Sequence, residues 1–202
     1  SRVGLIGTGR QARTQLEAVA LARKLAEVRV FSRDERQRGH FCREMTERLN
    51  VEVMPVESAE AAARFGEIVI AATTSREPVI RGDWLQPGTH VNAIGANMAN
   101  RREMDDATLK RAGLITIDSI EQAKDEAGDL ILGLPGSGRG WDEVSELHEV
   151  VGGRKRRTSD EEITIFKSCG IALWDVAAAG YVYRQALAAG KGKALDLSSH
   201  QD

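Results

Sequence analysis

The chain has 202 residues, 42% of them hydrophobic and 29% charged, with a formal net charge of −2. These values suit one large globular domain, or a domain with an appendage, and exclude a disordered chain. No apolar run approaches the roughly 20 residues of a membrane-spanning helix, so no membrane partner is expected. The near-neutral charge leaves no basic footprint for nucleic acid. The one strong basic cluster, Arg154-Lys155-Arg156-Arg157, reads as a solvated loop before a helix. Cys42 and Cys169 cannot build a disulfide framework and read as reduced thiols of a cytoplasmic protein. Neither they nor the four scattered histidines show metal-ligand spacing, so no metal site is expected.

In chain order, short β-rich runs alternate with helical patterns, the signature of a parallel sheet wrapped by helices. Val3 to Ile6 reads as a buried strand, and Ala12, Leu16, Val19 and Ala20 follow helical spacing after it. Val28 to Phe31 is a second strand. Asp34 then stands where a helix cap belongs, ahead of Phe41, Met45 and Leu49 at four-residue intervals. Val51 to Met54 is a third strand, and Ser58 caps a helix carrying Ala61, Ala62 and Phe65. A second half holds strands at Glu67 to Ala72, Thr89 to Ile94 and Leu114 to Asp118, with a helix from Asp105 to Ala112. Six strands in two halves give the α/β, doubly wound parallel sheet of the Rossmann type.

Beyond Asp129 the alternation stops. Gly133 to Gly140 contains Pro135 and four glycines and reads as a loop. From Ser159 to about Ala189 runs one long helical pattern, with Ser159 and Glu162 as a capping box at its start. The expected organisation is therefore a dinucleotide-binding core over 1–132, with a loop and C-terminal helical extension over 133–202.

Gly7-Thr8-Gly9-Arg10-Gln11-Ala12 follows the first strand and opens the first helix. In such a fingerprint Gly7 permits the tight turn, Gly9 lets a pyrophosphate approach the backbone, and Ala12 lets helix pack on strand. The helix N-terminus presents free N–H groups and a positive dipole end to the phosphates. The second strand ends Phe31-Ser32-Arg33-Asp34. An NAD site usually carries a carboxylate there for the ribose, whereas Ser32 can donate to a 2′-phosphate and Arg33 can grip one. The expected cofactor is therefore NADP, with NAD second, and Asp34 caps its helix in either case. Thr73, Thr74 and Ser75 end the fourth strand and Gly95-Ala96-Asn97 end the fifth, all toward the crevice where such folds bind ligands.

Taken together, these blocks resemble the ornithine cyclodeaminase/mu-crystallin family. The likeness runs through His90 to Ala96, Arg102-Glu103-Met104-Asp105, Ile117-Asp118-Ser119, Glu126-Ala127-Gly128-Asp129 and Leu147 to Val151. It continues through Arg157 to Asp160, Ile165 to Gly170 and Ala172 to Asp175. The resemblance implies a homodimer of two-lobed subunits, in which a lobe preceding the first strand here supplies a lysine and an arginine to the substrate. The C-terminal helix would pack on that lobe, leaving Ile171, Leu173, Trp174 and Tyr181 partly uncovered. One departure bears on chemistry. Cyclodeaminases place an acid/base aspartate where this chain has Asn97, and an amide takes and gives no proton at useful pH. Glu103, Asp105 and Asp106 are expected on the next helix, explained by capping and solvation. The resemblance thus implies an NAD(P)-dependent oxidoreductase passing hydride to or from the Cα of a small imino or amino acid, with Ser168 and Ala96 near the nicotinamide. The alternatives are a cyclodeaminase-type lyase with retained NAD, and a crystallin-like protein that holds NADPH and a small ligand.

Overall fold

A computed structural model describes residues 1–193 and Leu195. It divides into two units, Ser1–Cys169 and Gly170–Asp202. The first is built on a single sheet of eight parallel strands in the order β3-β2-β1-β4-β5-β8-β6-β7. The strands are β1 (Arg2–Ile6), β2 (Glu27–Phe31), β3 (Val53–Pro55), β4 (Ile68–Ala71), β5 (His90–Ala93), β6 (Ala112–Ile117), β7 (Val144–Glu146) and β8 (Ile163–Lys167). Helices α1 (Arg10–Ala22) and α2 (Glu35–Leu49) bury Ala12, Leu16, Phe41 and Met45 against Val3, Leu5, Val28, Val30 and Ile70 on one face. The other face packs against α3 (Ala59–Phe65), α4 (Asp106–Arg111), α5 (Ile120–Glu126) and α6 (Gly128–Ser137). Alternate residues of each strand serve opposite faces, and that is why parallel strands need near-continuous apolar runs.

The caps are local. Asp34 accepts from Gln37 N at 2.9 Å and Ser58 accepts from Ala61 N at 3.0 Å, each satisfying a donor that the first helical turn leaves open. Gly4 has a different task. A Cβ there would stand 2.0 Å from the Ala62 carbonyl oxygen, so its lack of side chain lets α3 lie directly on β1.

Two readings of the sequence are corrected. Most of the loop expected over 133–140 is helix, because Gly133 to Ser137 form the second half of α6 and only Gly138 to Gly140 follow it as turn and coil. The glycines there serve close packing: a Cβ on Gly133 would meet Leu109 Cδ1 at 2.6 Å, and one on Gly136 would meet Asp106 Oδ2. The stretch from Ser159 is not one helix either. Ile163–Lys167 is strand β8, inserted between β5 and β6 with Val91 and Ile115 opposite Ile165. Ser159 caps no helix, and Glu162 Oε2 instead accepts from Thr158 N. Thr164, Ile163 and Ile165 are β-branched, and burial between two strands settles their conformation where a repeating pattern did not. With β7 added at the edge, the sheet has eight strands where six were expected.

A short helix α7 (Leu147–Val151) follows β7 in the first unit; in the second, α8 (Ala172–Ala188) has no buried residue, and Leu173, Val176, Tyr181, Val182, Tyr183 and Leu187 are exposed. No helix among the described residues is long and apolar enough to cross a membrane.

Candidate functional site: a crevice at the carboxyl ends of the strands

The strand order reverses between β1 and β4, and there the loops after the two strands part to leave a crevice. It encloses about 380 Å³ and is lined by Gly7, Thr8, Gly9, Phe31, Ser32, Arg33, Asp34 and Thr73 to Ser75, among others. A larger concavity of about 840 Å³ opens at the amino-terminal ends of the strands, around Arg2, Glu67 and His90, and contains none of the candidate cofactor-binding or catalytic residues.

The two glycines of the loop differ. Gly7 has φ +108°, and a Cβ on it would stand 2.3 Å from the Ala72 carbonyl oxygen, so the turn tolerates no side chain. Gly9 is extended, at φ −78°, and a Cβ on it would meet nothing within 4 Å. Packing therefore does not demand a glycine at position 9, and the space beside it is open. Gly9 is also the N-cap of α1 with no side-chain cap, which leaves the first turn's donors open. Arg13 braces this loop from behind. Its guanidinium donates to Thr8 O at 2.9 Å and Gly9 O at 3.2 Å while pairing with Glu44 at 2.6 Å. The bonds between them raise the Arg13 pKa and lower that of Glu44. Ala12 is fully buried under β1, whereas Arg10 and Gln11 are exposed on the first helical turn and lie outside the crevice lining.

At the β2 side, Arg38 Nη1 donates to Ser32 O at 2.8 Å, and its guanidinium lies 5.7 Å from the Phe31 ring centre. Ser32 Oγ donates to Asp34 O at 3.1 Å, and Arg33 is exposed at the crevice edge. At the other side, Gly95 touches the β4 loop, where a Cβ would stand 2.3 Å from both Thr73 N and Thr73 O. Ala96 is buried, Asn97 is exposed, and Ser168 at the end of β8 donates its N–H to Ala93 O at 3.1 Å. Ser168 Oγ donates to Asp118 Oδ2 at 2.8 Å. Thus Thr73, Gly95, Ala96 and Ser168 come together at neighbouring strand ends; of these Thr73 lines the crevice, as do Ser32 and Arg33 on its β2 side.

Glu103 corrects a further expectation. It belongs neither to α4 nor to the solvent: it is 0% exposed, and its two oxygens accept from Thr73 N, Thr73 Oγ1, Gly95 N and Ala96 N. Burial pushes its carboxyl above the ordinary glutamate range, with the Thr73 bonds pulling the other way. Asp105 does cap α4, accepting from Thr108 N at 2.8 Å. Glu103 sits in the run Arg101-Arg102-Glu103-Met104-Asp105-Asp106, whose composition suggests a solvated face and gives no sign of burial.

A glycine turn between β1 and α1 at a topological switch point, with an open N-terminus facing the crevice, defines a Rossmann-type α/β domain. The description of the ornithine cyclodeaminase/mu-crystallin family matches residues 1–190, and the chain belongs to that family. It is 36% identical over 195 residues to an alanine dehydrogenase of Archaeoglobus fulgidus, covering 95% of this chain and 59% of that protein. It is 34% identical over 179 residues to the ketimine reductase mu-crystallin of Rattus norvegicus, covering 89% and 53%. Among solved structures, the Thermococcus litoralis Δ1-pyrroline-2-carboxylate reductase in complex with NADH and L-proline superposes with a TM-score of 0.92 at 38% identity, covering 96% of this chain and 61% of that one. The chain spans about 60% of the length of the first of these relatives.

Proposed function

We propose that the protein is an NAD(P)-dependent oxidoreductase that passes hydride between a nicotinamide and the Cα of a small imino or amino acid. The observation that carries this reading is the pairing of an open dinucleotide crevice with Asn97, an amide where a cyclodeaminase needs a proton-transferring carboxylate. Glu103 offers no substitute, because four donors hold its two oxygens below the crevice floor. Asp118 is likewise engaged, by Ser168 Oγ and Cys169 N. The names of the three relatives, a dehydrogenase and two reductases, support the same choice.

In this reading Gly7, Thr8 and Gly9 receive the pyrophosphate at the α1 N-terminus, and Thr73 to Ser75 with Gly95 and Ala96 hold the nicotinamide side. The bound nicotinamide supplies or takes the hydride. Ser32 and Arg33 favour NADP, since a hydroxyl and a guanidinium suit a 2′-phosphate better than a free ribose. Asn97 orients the substrate through its amide and moves no proton. A homodimer of two-lobed subunits belongs to the same reading, and the exposed apolar side chains of α8 suit the preceding lobe expected to cover them.

The test is product analysis with the full-length protein. It should form little proline from ornithine, while an Asn97→Asp variant gains some of that activity. General acid–base catalysis is worth roughly 10²–10⁴ in rate, so the difference is measurable. Robust proline formation by the unsubstituted protein would put the lyase first.

A further inference from the structure

Under the crevice lie Glu103, Asp129 and Lys167, each 0% exposed. Two carboxylates and an ammonium are costly to bury, and apolar side chains of similar size would pack there at no such cost. What the three hold is specific. Glu103 Oε1 accepts from Thr73 N and Thr73 Oγ1, each at 2.7 Å, and Oε2 accepts from Gly95 N at 2.7 Å and Ala96 N at 3.2 Å. Lys167 Nζ donates to Ala93 O at 3.3 Å, to Ala96 O, and to Ser168 O at 3.2 Å, and lies 3.4 Å from Asp129 Oδ2. Asp129 Oδ1 accepts from Glu103 N at 2.6 Å and Met104 N at 2.8 Å, which fixes the backbone that presents Glu103.

One carboxylate therefore ties the loop leaving β4 to the loop leaving β5, and one ammonium pins the second loop from below together with the end of β8. None of these bonds reaches the β2 side, where Ser32 is held by Arg38 and by its own turn. A dinucleotide lying across the switch point has its adenosine half toward β2 and its nicotinamide half toward β4 and β5.

We propose that Glu103, set in place by Asp129 and Lys167, is a positioning residue that shapes the nicotinamide side of the crevice alone and so governs affinity for that half of the cofactor. The proposal rests on the dinucleotide reading given above. Glutamine is nearly isosteric with glutamate, but its NH₂ would face the N–H donors of one loop and could accept from neither, so one loop must move.

The experiment compares two ligands by calorimetry on the full-length protein. NADPH carries both halves, and 2′-phospho-ADP-ribose lacks the nicotinamide. Glu103→Gln should weaken NADPH on the order of ten-fold while leaving 2′-phospho-ADP-ribose within about two-fold. Equal losses for both ligands, or no loss for either, overturn the proposal. If the unsubstituted protein binds neither ligand, the dinucleotide reading itself fails and the proposal with it. Should the glutamine variant not fold, Asp129→Asn asks the same question, because Asp129 fixes the backbone that presents Glu103 and an amide nitrogen there would face either those N–H groups or Lys167 Nζ. It should reproduce the selective loss of NADPH, and equal losses for both ligands, or none, count against the proposal.

Discussion

Gly7 and Gly9 are two residues apart, yet a side chain would do different harm at each. At Gly7 a Cβ meets the Ala72 backbone at 2.3 Å with φ at +108°, so Gly7→Ala should destabilise the fold by about 1–3 kcal/mol or more. At Gly9 a Cβ meets only open space, so Gly9→Val should fold normally and lose dinucleotide binding. Urea unfolding and cofactor titration on the same samples separate the two effects, and a Gly9→Val protein that still binds would mean the open space serves no ligand. Glu103 carries a prediction in pH. Its folded-state pKa is raised, chiefly by burial, with Asp129 adding to the rise and Lys167 opposing it. A raised folded value means the carboxyl stabilises the fold below its unfolded pKa, about 4.3, and that this contribution is lost as pH climbs through the folded value. The stability advantage of the parent over Glu103→Gln should therefore shrink as pH rises from the ordinary glutamate range. A difference independent of pH in chemical unfolding would show that burial leaves the carboxyl unshifted. The two glycines were legible in the sequence, but the burial of Glu103 was not, because it stands among charged neighbours and is buried only where β4, β5 and α6 meet.

Among the elements, the first half of the sheet was readable because each strand is bounded by its own turn signal and each helix by its own cap. Asp34 and Ser58 cap the helices expected of them, and Gly7 to Ala12 stand between β1 and α1 as the motif requires. β8 was hidden for a different reason. Ser159 and Glu162 imitate a capping box, Gly170 is the only glycine between Gly153 and Gly180, and the residues after it are helical, so Ile163–Lys167 merged into a false helix. Its place between β5 and β6 is a long-range fact that no local window contains. The insertion carries Lys167 beneath the ends of β5 and β8, so missing the element also hid what that side chain holds. α6 was hidden by Pro135 and its glycines, which ordinarily signal a loop and here permit contact with Leu109 and Asp106. Ile165, 1% exposed at the centre of the sheet, should cost about 2–5 kcal/mol on replacement by alanine. Leu21, 91% exposed on α1, should change stability by less than about 0.5 kcal/mol under the same substitution. Denaturant midpoints for the two variants check this, and an Ile165→Ala loss as small as that of Leu21→Ala would argue against a central β8.

At the scale of the whole molecule, one sheet with a reversal of strand order places a glycine turn and a pair of hydroxyl-bearing strand ends in a single crevice. Family membership follows from the chain as a whole, and the chemistry follows from the crevice. The central claim is that this crevice takes a nicotinamide dinucleotide, with Ser32 and Arg33 at the end that reads the adenosine ribose. Calorimetric titration with NADPH and with NADH tests it most directly. The account predicts one molecule bound per chain, NADPH tighter than NADH, and a preference that collapses in Arg33→Ala. Failure of the unsubstituted protein to bind either cofactor would contradict the account at its root, and tighter binding of NADH would contradict the roles given to Ser32 and Arg33.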